Sequence, residues 1–261
     1  MAGVCDLLAW DALDYRFRVR TSDPSVGASL SSLFSGFPAV ESAETELVLD
    51  DTQGGPNQLV ALMSEINLAA IDSAVGELLL HAGAVARRDG AAAVICGPSG
   101  SGKTTLTVSL SKEPALSYVT DEVVCLSPET LRLRSYRKPA SVKMGAQRIL
   151  GDLRPTTARL SGGTWLVPPA DFEAAAPSGA PLAPSVLIFP TYVEGSDLTI
   201  ERLSEVEAAF LLGGNSSRLR ETRVPHLVSL GRLARRAPAY RLTHGDVRSA
   251  TAVVAELLEA A

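Results

Sequence analysis

The chain has 261 residues, of which 46% are hydrophobic and 20% charged, a composition that suits one large or two small globular domains. A net charge of −5, with no Lys/Arg block interleaved with aromatics, argues against nucleic acid as a partner. No apolar run reaches the roughly 18 residues of a membrane span, and Met1–Trp10 lacks the basic and apolar regions of a signal peptide.

Aromatic residues make up only 5% of the chain, so a core of Ala, Val and Leu is expected. Tyr15-Arg16-Phe17-Arg18-Val19-Arg20 alternates strictly and predicts a half-buried strand, with the arginines as its solvated face. Thr45–Leu49 predicts a second strand, ended by the turn cluster Asp50–Pro56. From Asn57 the apolar residues Leu59, Leu62, Met63, Ile66 and Ile71 recur at helical spacing. Residues 1–75 therefore read as a small α+β region, with a second domain over 76–261.

Two apolar runs, 78–86 and 91–96, flank Arg87-Arg88-Asp89-Gly90, and the Asp-Gly pair predicts a hairpin. The second run leads into Gly97-Pro98-Ser99-Gly100-Ser101-Gly102-Lys103-Thr104-Thr105, which matches G-x-x-x-x-G-K-T, the P-loop pattern. Gly97, Gly100 and Gly102 allow the backbone to turn so that N–H groups face a polyphosphate. Lys103 supplies charge for the β- and γ-phosphates, the Thr104 hydroxyl can ligate Mg²⁺, and the next helix adds its N-terminal partial charge. The hairpin returns His81 to the side of this loop. A histidine in an apolar run is either a bonded core residue or, here, a functional group.

After Pro114, the run Ser117–Leu126 predicts a strand interrupted by Asp121-Glu122. Burying unpaired carboxylates costs several kcal/mol. A P-loop protein needs a carboxylate at a strand end to hold Mg²⁺, so Asp121 is the preferred metal or catalytic acid and Glu122 its neighbour. Leu131–Tyr136 returns as a second hairpin. Only four of the 24 basic residues are lysines, and two of them follow in Arg137-Lys138-Pro139-Ala140-Ser141-Val142-Lys143. Arg137, Lys138 and Lys143 are either a clamp for phosphate or acceptor, or plain surface charge.

Residues 161–184 are rich in Gly, Pro and Ala and predict a mobile loop or lid around one strand, Thr164–Val167. Strands follow at 186–189 and 198–200. Ser204-Glu205-Val206-Glu207 is a capping box that opens a helix running to Leu212, stopped by Gly213-Gly214-Asn215. A helix over 226–236, a strand over 239–242 and a terminal helix capped by Asp246 complete the chain. Cys5, Cys96 and Cys125 make no metal spacing. Cys96 and Cys125 read as buried free thiols, which suits a reducing, cytoplasmic setting.

Taken together, Leu80-His81-Ala82-Gly83, Gly97–Thr105 and Val119-Thr120-Asp121-Glu122-Val123 resemble the HPr-kinase-related family. Its kinase core is a P-loop fold shared with phosphoenolpyruvate carboxykinase. Looser matches are Lys138-Pro139 with Val142-Lys143, Pro168-Pro169, and Pro238-x-Tyr240-x-Leu242. The resemblance implies an α/β core of a mixed sheet with flanking helices. It also implies ATP and Mg²⁺ as cofactors, Asp121 as base toward a serine hydroxyl and His81 as its orienting partner. The acidic-x-Arg-Gly signature of true HPr kinases has no match, and Arg137-Lys138-Pro139 is the nearest basic substitute. HPr is therefore not the expected acceptor.

Short relatives of this kind include kinases that phosphorylate a serine on a ribosomal precursor peptide. The resulting expectation is an ATP- and Mg²⁺-dependent kinase acting on a serine-type hydroxyl of a peptide or small protein. The alternatives are a small-molecule hydroxyl as acceptor, and a nucleotide-dependent regulatory module with little turnover. Neither nucleic acid nor membrane is an expected partner, and homo-oligomer formation is left open.

Overall fold

In the computed structural model of the chain, the residues described are 5–22, 24–49, 57–151, 160–161, 163–175, 177, 179–217 and 223–261. Their contacts divide the chain into two units, Met1–Val75 with Tyr136–Phe172, and Gly76–Ser135 with Glu173–Ala261. A boundary falls after Val75, but residues 136–172, expected to belong with 76–261, group with the first unit. The turn at 50–56, residues 1–4, and Gly162, Ala176 and Ser178 of the Gly/Pro/Ala-rich stretch lie outside the described residues.

The first unit opens with a hairpin of β1 (Cys5–Ala12) and β2 (Tyr15–Thr21), followed by α1 (Pro24–Leu33), β3 (Ala39–Val40), β4 (Thr45–Leu49) and α2 (Asn57–Ser73). The sheet runs β3-β1-β2-β4. Along β2 the alternation is realised, with Phe17, Val19 and Thr21 buried while Arg16 and Arg20 face outward. Those arginines pair across strands with Asp11 (3.6 Å) and Glu46 (3.0 Å). Exposed pairs of this kind stabilise by at most about 1 kcal/mol, as expected of a solvated sheet face.

The core beneath differs from the expected Ala/Val/Leu packing. Trp10, Phe17, Phe34, Phe37 and Tyr136 form a connected cluster with ring centroids 5.2 to 5.9 Å apart. The few aromatics of the chain are concentrated where a small unit needs most burial per residue.

The second unit begins with β5 (Leu78–Arg87), β6 (Ala91–Cys96), α3 (Lys103–Ser111), β7 (Leu116–Thr120), β8 (Val123–Leu126) and β9 (Leu133–Arg134). The first unit then resumes with β10 (Ala140–Lys143), α4 (Met144–Ile149), β11 (Leu160–Ser161) and β12 (Thr164–Val167), whose sheet order is β10-β12-β11. The second unit closes with β13 (Ala183–Tyr192), β14 (Thr199–Arg202), α5 (Glu205–Gly214), α6 (Arg223–Arg236), β15 (Ala239–His244) and α7 (Val247–Glu259).

Its eight-stranded sheet is mixed, in the order β14-β15-β13-β6-β5-β8-β9, with β7 also paired to β5. Strands β6, β13 and β15 are mutually parallel, and the flanking pairs are antiparallel. Alternate residues of the central strands feed two cores. Ala92, Val94, Leu187 and Phe189 pack with Ala208, Leu212, Leu230 and Leu233 of α5 and α6. Ala93, Ile95, Val186 and Ile188 pack with Leu106 and Leu110 of α3 and Val254 and Leu258 of α7. The strands are thus buried on both faces, which explains their near-continuous apolar runs.

The Asp89-Gly90 hairpin is formed, with Ala82 opposite Cys96 and Gly90 at φ 92. At Gly83 an added Cβ would lie 2.2 Å from Thr107 Oγ1, so glycine lets α3 rest directly on β5. The capping box of α5 has both reciprocal bonds, and Asp246 caps α7 through the Ser249 amide at 3.0 Å.

Candidate functional site

The glycine-rich loop leaves the end of β6 and enters α3 through Gly102, which is the N-cap residue at φ 93. That left-handed backbone, repeated at Gly100 (φ 88), strains any residue with a Cβ. The turn leaves the first amides of α3 without helical acceptors and concentrates positive potential there. Lys103 is buried, and its ammonium donates to the carbonyls of Gly97 (2.6 Å) and Pro98 (2.9 Å), closing the loop upon itself. Ser101 Oγ is buried without a hydrogen-bond partner, and Thr104 and Thr105 are partly exposed on the first turn. Just before the loop, burial pushes the Cys96 thiol up to about 12, against the pull of the Lys103 charge. Cys96 therefore stays a protonated core thiol, and Cys125 is likewise buried and outside any disulfide.

Two acids stand two strands away. Strands β7 and β8 lie along the same edge of β5, β8 against Leu78–His81 and β7 against Ala84–Arg87. Between them the ladder breaks at Asp121-Glu122, which form a bend rather than strand positions. The two side chains therefore do not occupy alternating positions of one strand. Asp121 is buried at 4% exposure, and the Tyr118 hydroxyl donates to its Oδ1 at 3.1 Å. A charge-assisted bond of this kind contributes about 1.5–3 kcal/mol, enough to offset much of the cost of burying the carboxylate. Glu122 is partly exposed.

His81 ties the bend to β5. The Ala82 amide donates to the Glu122 carbonyl at 3.1 Å, and the His81 ring also bonds to the Glu122 backbone. Burial holds the imidazole below its ordinary pKa, and the Lys103 charge lowers it further. The Glu122 and Asp121 carboxylates and the Glu122 backbone bond pull the other way. Thus His81, Lys103, Asp121 and Glu122 share one electrostatic neighbourhood. The backbone amide of His81 is taken by Asn215 O at 2.7 Å, which brings the end of α5 against the site. There an open pocket of about 310 Å³ is bounded by His81, Pro98, Phe210 and Asn215–Ser217.

The proposed clamp residues lie in the first unit. Lys138 is buried, and its ammonium donates to Pro139 O (3.1 Å) and Ser141 Oγ (3.4 Å). Arg137 is partly exposed and Lys143 exposed. Among the described residues no three His, Cys, Asp or Glu side chains are grouped to hold a metal ion. Thr104, Asp121 and Glu122 offer only hard oxygen donors. That suits Mg²⁺, which commonly takes one or two carboxylates and completes its shell with phosphate and water.

Compared with protein-family models and with curated proteins, the chain matches none. Among the described residues, no helix is long and apolar enough to cross a membrane.

Three residues near the site escape a reading of the sequence. Tyr118 sits three residues before Asp121 and reads as an ordinary apolar strand position. Tyr192 and His244 end β13 and β15, and only the sheet order places those ends beside Gly102. His244 is buried, with its pKa lowered by desolvation against the opposing pull of the Asp246 backbone and carboxylate.

Two histidines held below the ordinary value of about 6.5 make stability depend on pH. Just below that value the unfolded chain binds more protons than the folded one, so stability rises with pH in this window. The thermal midpoint is expected to drop as the pH is lowered from about 7 to 5.5, and His81→Gln should flatten part of that slope. Melting curves across this range would disprove the assignment if the midpoint stayed level or rose on acidification.

Proposed function

We propose that the second unit is an ATP- and Mg²⁺-dependent kinase of the HPr-kinase-related type, transferring the γ-phosphoryl group to a serine-type hydroxyl on a peptide or small protein. The observation that carries this reading is the convergence of the glycine-rich loop and the α3 N-terminus with a buried carboxylate fixed by Tyr118 and a histidine-anchored bend. Oriented amides, a lysine and a carboxylate are the parts that phosphoryl transfer requires, because catalysis there rests on positioning and charge.

Mg²⁺ would supply charge neutralisation between the phosphates, held on the protein side by the Thr104 hydroxyl and the acids of the bend. On nucleotide binding, Lys103 exchanges the carbonyls of Gly97 and Pro98 for phosphate oxygens. Asp121, kept in place by Tyr118, accepts the proton of the acceptor hydroxyl. The hydroxyl oxygen bonds to the γ-phosphorus as the bond to the ADP oxygen breaks, and the proton remains on Asp121. His81 maintains the bend through the Glu122 backbone. The open pocket beside His81 is of a size to receive an acceptor side chain, and its Phe210 wall suits apolar flanking residues.

The test measures ADP release by the full chain with Mg²⁺ and ATP, with and without serine-containing peptides, beside a panel of small alcohols. Peptide-dependent release together with phosphoserine in the product is the expected result. Release with small alcohols alone would move the acceptor to a metabolite. ATP binding with no acceptor-dependent release would leave a regulatory module.

A further inference from the structure

The order of the sheet divides the surroundings of the glycine-rich loop into two sides. The chain leaves β6 through α3 toward β7, on the β5 side, whereas it leaves β13 through β14, α5 and α6 toward β15, on the opposite side. The connections therefore diverge between β6 and β13, and a crevice at such a switch point is where open α/β sheets take ligands. An added Cβ on Gly97 would lie 3.7 Å from Pro190 O, so the loop faces the end of β13 directly. On the β5 side stand His81, Asp121 and Glu122, the groups that the reaction requires near the transferred phosphoryl. The rest of a nucleotide must extend the other way.

That other side is built for it. Beside Gly102 an added Cβ would lie 3.5 Å from Tyr192 Cβ and 3.7 Å from His244 Nε2. His244 is only 2% exposed, yet neither Nδ1 nor Nε2 has a hydrogen-bond partner of normal geometry. The approach of the Asp246 backbone falls short of a well-formed bond, so this buried imidazole keeps hydrogen-bonding capacity that a ligand could use. Ser196 Oγ, on the turn after β13, is also buried without a partner. The Tyr192 ring stands edge-on to His244 with centroids 5.7 Å apart, and Tyr192 and Val193 remain 37% and 46% exposed. Exposed aromatic surface next to unused polar atoms is what a base and its sugar require of a site.

On the reading of the loop as a nucleotide phosphate site, we propose that the nucleoside end is seated at the C-terminal ends of β13 and β15. The base lies against Tyr192, and a polar atom of base or ribose bonds to His244. The chain here would recognise a nucleoside triphosphate rather than a bare polyphosphate.

The experiment compares Mg²⁺-ATP with Mg²⁺-tripolyphosphate by calorimetry on the full chain. Wild type should bind ATP at least about tenfold more tightly. Tyr192→Ala, at a partly exposed position, should weaken ATP about tenfold and leave tripolyphosphate unchanged. His244→Phe, which keeps the ring and removes only the nitrogens, should do the same to a smaller extent. Equal affinity of wild type for both ligands would overturn the proposal. So would Tyr192→Ala binding ATP normally, or losing both ligands alike. Lys103→Ala separates the two levels of inference, since it should weaken both ligands. If it weakens neither, the phosphate site itself is misassigned.

Discussion

Lys103→Ala is expected to lower phosphoryl transfer by about 10²–10³-fold and to weaken nucleotide binding with it. The ammonium donates to the carbonyls of Gly97 and Pro98 and so braces the loop. In the proposed nucleotide complex the same group would face the phosphates at the start of α3, and a loss of 10²–10³ corresponds to about 2.7–4.1 kcal/mol. Two effects are therefore superposed. Losing the brace leaves the Pro98 carbonyl to water but the Gly97 carbonyl unsatisfied in a buried position, at a cost of about 1–3 kcal/mol. Losing the phosphate contact removes charge where none can be replaced. A thermal midpoint lowered by a few degrees with transfer reduced a hundredfold would match both. Full transfer and unchanged ATP affinity in a folded variant would refute the role given to this loop.

Local rules carried the reading of the chain a long way, and the failures have a common physical origin. The turn closed by Gly90 set the β5–β6 register and so returned His81 to the loop, because a three-residue connection ending in a left-handed glycine fixes its hairpin. The capping box at Ser204 and the cap at Asp246 placed two helix starts to the residue. Strand β1 went unread because Cys5–Ala12 lacks clean alternation, and α1 because Ser and Gly dilute its apolar stripe. Pairing partners far apart in the chain left no local signature at all. Strand β15 inserts between β13 and β14, which are adjacent in sequence, and this insertion brings His244 beside Gly102. The grouping of residues 136–172 with the first unit is likewise non-local, and with it go Arg137, Lys138 and Lys143. Tyr118 was legible as a strand residue, but its bond to Asp121 depends on the break in the ladder that follows it.

That break decides how the two acids should behave when their charges are removed one at a time. Asp121 is buried, with Oδ1 held by the Tyr118 hydroxyl, while Glu122 is partly exposed and its carbonyl is fixed by β5. Asp121→Asn preserves the shape, and the amide oxygen can still accept from Tyr118. In the proposed mechanism it removes the group that takes the acceptor proton, so transfer should drop by roughly 10²–10⁴-fold while ATP binding is retained. Glu122→Gln leaves its backbone bonds untouched and should cost far less, confined to the share this side chain has in holding Mg²⁺. Single-turnover transfer to a verified acceptor, at saturating Mg²⁺, measures both variants on the chemical step itself. In a titration from sub-saturating Mg²⁺, added metal should recover Glu122→Gln in part and leave Asp121→Asn where it is, because added metal replaces a ligand but not a base. A larger loss at Glu122 than at Asp121, unaffected by metal, would transfer the role of base to Glu122.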